Sequence, residues 1–132
     1  MKLKIKVTKE VLRKSANSHG NFIGSTCAIA VACKEVFGDV WIYEEGITLL
    51  KNPPEYSGTL DMVKVNTIGT PRESLISLPY EAVAFIREFD SNSCEQRIVM
   101  EPIEFEVEVP EKVIERINID DLKDCPTIEL VS

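Results

Sequence analysis

The residues with the most chemical capacity in this 132-residue sequence are one histidine, four cysteines and a polar stretch that runs into an apolar segment. His19 lies in that stretch, residues 15–24, which reads S-A-N-S-H-G-N-F-I-G. An imidazole changes charge near neutral pH, so His19 can act as a general base or a ligand contact. A histidine in a polar loop is just as well a solvated side chain. No carboxylate or nucleophile is tied to it by a known spacing, which favours the second reading. Ser25 and Thr26 follow, and either can cap a helix that continues as C-A-I-A-V-A-C-K-E-V-F. The N–H groups and dipole of a helix start favour an anion, to which His19, Asn21, Ser25 and Thr26 can add hydrogen bonds. These four are the candidate ligand-binding residues. Ordinary capping competes for the same atoms, because neither the G-x-x-x-x-G-K-[ST] nor the G-x-G-x-x-G phosphate signature is present.

The cysteines are Cys27, Cys33, Cys94 and Cys125, with no C-x-x-C pair among them. In a reducing compartment they are expected as four thiols, two of them buried. Cys27 falls in the first helical turn, where a thiol pKa is lowered and a reactive thiolate is conceivable. Its neighbours Ala28, Ile29 and Ala30 point instead to burial as a small hydrophobe. Cys33 stands six residues further on, a poor angle for sharing a helix face with Cys27. One histidine and scattered cysteines make no zinc pattern, so no metal site is expected. Asp39, Glu44, Glu45 and Asp61 lack the pairing of a cation loop or a glycosidase and read as solvated surface. Trp41 and Tyr43 alternate on one strand face, where packing is a commoner role than a binding platform. No catalytic residue and no cofactor are expected.

The elements that must position these residues are legible from periodicity. Lys2–Val7 alternates lysine with Leu3, Ile5 and Val7, the pattern of a half-buried strand. Thr8 can cap a short helix running to Leu12 or Lys14. Residues 26–37 are apolar almost all round, so that helix belongs in the core against a sheet, with Gly38 as its stop. Val40–Tyr43 and residues 47–50 are strand-like, either a hairpin or one bent strand. Residues 59–68 alternate well enough for another strand, after a loop holding Pro53 and Pro54. Pro79 can open a helix to about Phe89, with Ala82, Phe85, Ile86 and Phe89 on one face. Residues 103–109 alternate strictly between apolar side chains and glutamates, and Pro110 can start a short helix. No internal repeat or low-complexity tract is present.

The first strand exposes Lys2, Lys4 and Lys6, and the late strand exposes Glu104, Glu106 and Glu108. Opposite charges across strands favour pairing, so the two are expected as neighbours beneath the helices 26–37 and 79–89. Separate solvated edges guarded by charge are the alternative. The expected fold class is α+β: a single small mixed or antiparallel sheet of about four to five strands packed by two main helices. The expected organisation is one domain over residues 1–118, with 119–132 a C-terminal tail or docked arm.

Composition narrows the function classes. A hydrophobic share of 44% fits a globular chain rather than a disordered one. The formal net charge of −7 disfavours extended nucleic-acid binding, which needs a basic stripe. No run approaches the roughly 20 apolar residues of a membrane span, and the charged N-terminal alternation is not a signal peptide. The expected location is therefore cytoplasmic, with no membrane partner.

Four stretches taken in order resemble a loose group of small uncharacterised bacteriophage and prophage proteins: V-T-K-E-V-L at 7–12, T-C-A-I-A-V-A-C-K-E-V-F at 26–37, L-P-Y-E-A-V-A-F-I-R-E-F-D at 78–90, and E-P-I-E-F-E-V-E-V-P at 101–110. The group shares a cysteine-led, alanine-rich helix, a Leu-Pro before a helix ending in Phe-Asp, and a late phenylalanine-led strand. The resemblance spans about residues 1–110. It departs from the group at Ala28, where a proline or second cysteine is frequent near the helix start, and the loop 52–71 has no counterpart. The resemblance implies a setting and transfers no catalytic residue: a phage or mobile-element accessory protein in the bacterial host cytoplasm. Its expected function is non-enzymatic binding of a host protein or a small signalling anion. A structural or virion-associated assembly role, including self-assembly into a homo-oligomer, is the alternative.

Overall fold

A computed structural model describes residues 1–16, 28–38, 40–43, 46–49 and 76–131. The described strands are β1 (Lys2–Val7), β2 (Val40–Tyr43), β3 (Gly46–Leu49), β4 (Ile76–Ser77), β5 (Ile103–Glu108) and β6 (Ile128–Leu130). The helices are α1 (Lys9–Ser15), α2 (Ala28–Phe37), α3 (Tyr80–Ser91), α4 (Cys94–Ile98) and α5 (Glu111–Ile114), with a 3-10 turn at Ile119–Leu122. The expected strand at 59–68 lies outside the described residues.

The fold is α+β, and the described strands form two antiparallel sheets. One has the order β5-β1-β6 and the other β2-β3-β4. The described strands fall into two sheets, where periodicity alone groups the strands in one. In the first sheet β1 is the central strand, with β5 on one edge and β6 on the other. The β2–β3 pair is an antiparallel hairpin, Val40 facing Leu49 and Tyr43 facing Gly46. It takes β4 as its third strand.

The lysine-faced and glutamate-faced strands are neighbours, in a register that sets Lys2 against Glu108, Lys4 against Glu106 and Lys6 against Glu104. The Val109 N–H donates to the Met1 carbonyl at 2.8 Å, so the odd residues of β1 form the hydrogen-bonded pairs with β5. The lysines therefore occupy the non-hydrogen-bonded positions, where facing side chains come closest. The ion pairs run diagonally, Lys2 to Glu106 at 3.9 Å and Lys4 to Glu104 at 4.0 Å. The shortest lysine contact of the three crosses the other edge, Lys6 to Glu129 of β6 at 3.2 Å. The lysine row is thus flanked by carboxylates on both sides.

Beneath the charged face lies the core. Leu3, Ile5 and Val7 are buried, as are Phe105 and Val107 from β5 and Ile128 from β6. α2 packs on β1 and β6 and also on β2, joining the two sheets. Seven of its ten residues are buried, which is what an apolar, alanine-rich helix needs in order to approach two sheets closely. Only Lys34 and Glu35 reach the surface as charged residues of α2. Gly38 ends the helix at φ +71°, a left-handed conformation costly for side chains with a Cβ, and its N–H donates to the Lys34 carbonyl at 2.9 Å. α3 packs against α2 and contributes Ala82, Val83, Phe85 and Phe89 to the core.

The stretch 119–131 packs on the core and supplies β6 to the first sheet. Asn118 caps the 3-10 turn by accepting from the Asp120 N–H at 3.0 Å. Leu122 and Ile128 are buried in the common core. The Lys6 N–H donates to the Thr127 carbonyl at 2.7 Å, and the Val131 N–H to the Lys2 carbonyl at 3.1 Å. No described helix is long and apolar enough to cross a membrane.

The charge arrangement yields a direct test. Lys4→Glu places a carboxylate among Glu104, Glu106 and Glu129 and is expected to cost about 1 kcal/mol in urea unfolding at low salt. Raising NaCl should shrink that loss, because the pairs are solvent-facing. Lys4→Gln should fall between the two.

Candidate functional site

Of the sequence-predicted ligand residues, His19, Asn21, Ser25 and Thr26 all lie outside the described residues, as does Cys27. The side chains of Trp41 and Tyr43 lie outside them too. What is described is the pair of anchors from which the segment 17–27 departs and returns. Ala16 closes α1, Ala28 opens α2, both are buried, and α1 packs on α2. α1 is held at its start by Thr8, whose hydroxyl accepts from the Val11 N–H at 3.2 Å. At its end the Ser15 hydroxyl donates to the Val11 carbonyl at 2.7 Å, which satisfies a buried polar group.

Arg97 fixes the first anchor. Its Nε donates to the Phe89 carbonyl at 2.8 Å and one terminal nitrogen donates to the Ala16 carbonyl at 3.3 Å. The guanidinium also lies over the Phe89 ring, 4.3 Å from the centroid, and Phe89 in turn stacks with Phe85 at 6.1 Å. One planar cation thereby closes the end of α3, the end of α1 and an aromatic pair, a task for which an ammonium lacks the shape. α4 positions Arg97 in its last turn. Ser93 and Gln96 form a reciprocal capping box, the Ser93 N–H donating to Gln96 Oε1 at 3.0 Å and the Gln96 N–H to Ser93 Oγ at 3.4 Å.

Asp90 stands near this cation at the C-terminal end of α3. Asp90 is exposed, and its partial desolvation raises its pKa above the ordinary 3.8, a rise that the charge of Arg97 offsets in part. A carboxylate in the last turn also meets the negative end of the helix dipole.

A second cluster forms where the C-terminal stretch crosses α2. Thr127 is buried, and its hydroxyl donates to the Ala32 carbonyl at 2.6 Å. The Cys125 thiol lies 3.5 Å from Glu35 Oε2 and 3.4 Å from the Thr127 hydroxyl. An open cavity of about 270 Å³ adjoins it, lined by Glu35, Asp120, Asp121, Asp124 and Cys125. Lys123 pairs with Asp120 at 3.5 Å. Such a rim attracts cationic groups and repels anions. None of its lining residues belongs to the loop-to-helix junction singled out in the sequence. Among the described residues no group of three or more histidine, cysteine or acidic side chains is arranged to hold a metal ion.

The described cysteines are Cys33, which is buried, and Cys94 and Cys125, which are half-buried; none of the three is in a disulfide. Sequence reasoning missed Arg97, Thr127 and the meeting of Cys125 with Glu35. The S-x-x-Q spacing from Ser93 to Gln96 marks a helix start and would have placed Arg97 on a helix. The Thr127–Ala32 contact spans 95 positions and leaves no local signal.

Two substitutions test these readings. Thr127→Val keeps the shape and removes the buried hydroxyl donor, and is expected to lower stability by about 1 kcal/mol in chemical denaturation. Asp90→Asn tests the carboxylate. A raised folded pKa means the folded state holds its proton more tightly than the unfolded chain. That contribution is complete below the ordinary value of 3.8 and is lost as pH rises through the raised value. Asp90→Asn should therefore be more stable than the parent at pH 7 and indistinguishable from it at pH 3, as read from paired unfolding curves.

The chain matches no family model, no curated protein and no solved structure.

Proposed function

We propose that this chain is a non-enzymatic accessory protein of a phage or mobile element that works in the bacterial host cytoplasm by binding a host protein. The observation that carries this reading is the employment of its polar side chains. Arg97, Thr127 and Cys125 are each engaged in holding one part of the chain to another. The resemblance of residues 7–12, 26–37, 78–90 and 101–110 to small phage and prophage proteins supplies the setting. The anionic balance of the chain supports a protein partner over an extended nucleic acid.

A small signalling anion is the second form of the same proposal. It rests on His19, Asn21, Ser25 and Thr26, which the sequence places ahead of an apolar helix. A virion-associated assembly role is the structural alternative, and β-strand edges are the feature that supports it.

The test uses the intact tagged chain. Capture from host lysate should recover a protein that re-forms a complex with it from purified components at a defined stoichiometry. Recovery of the chain only within purified virions would overturn the reading in favour of assembly. A thermal shift with nucleotides distinguishes the anion form, since ligand at 100 times its Kd adds about 2.7 kcal/mol. A shift that Ser25→Ala and Thr26→Ala abolish, with no protein partner recovered, would replace the host protein by the anion.

A further inference from the structure

We draw no further inference here: the strongest candidate, the open cavity where the C-terminal turn crosses α2, lined by Glu35, Asp120, Asp121, Asp124 and Cys125, is an acidic cluster with a single thiol, and nothing in the structure points to what occupies it.

Discussion

Both edges of β1 are taken, and most of the first sheet depends on that. β5 lies on one side and β6 on the other, so three strands from the two ends of the sequence form one sheet. The alternation of the first strand then acts in two directions at once. Leu3, Ile5 and Val7 face the core and are shielded from water, and burying side chains of that size contributes about 1.5–3 kcal/mol each. Lys2, Lys4 and Lys6 face solvent with carboxylates to either side. A slip of one residue would send the lysines into the core and the apolar row into water, so the register is fixed by burial, with charge reinforcing it. α2 can be as apolar as it is because this sheet and β2 both pack on it.

Much of this was legible because it is periodic. The strand alternation at the two ends, the helix with Ala82, Phe85 and Phe89 on one face, the Thr8 cap and the Gly38 stop are all local patterns with a physical cause. The pairing of β1 with β5 was also readable, since rows of lysine and glutamate are complementary at every second residue. β6 was not, because three residues are too few for alternation to be distinguished from chance. Its Ile128 is recognisable as a strand residue only once β1 is seen to have a second edge. α4 was missed for another reason. Its first residues follow Asp90–Ser93 so closely that the end of one helix masked the start of the next.

The candidate site divides along the same line. The polar stretch 15–24 ahead of Ser25 and Thr26 defines candidate ligand groups by chemistry alone, although its first residue, Ser15, belongs to α1. Contacts made by folding back, such as Arg97 on Ala16 and Thr127 on Ala32, join positions 81 and 95 apart and carry no sequence signature. These contacts make the polar inventory largely structural. Arg97 ties α1 to α3 and α4. Thr127 and Cys125 tie the C-terminal stretch to α2.

The most direct test of the central role of β1 is native-state amide hydrogen exchange by NMR. The register places the Ile5 amide toward β5 and the Lys6 amide toward β6, where it donates to the Thr127 carbonyl. Both amides should exchange only through global unfolding, with the same opening free energy as chemical denaturation gives. Rapid exchange at Lys6 beside slow exchange at Ile5 would mean that β1 is an edge strand, and would contradict the account.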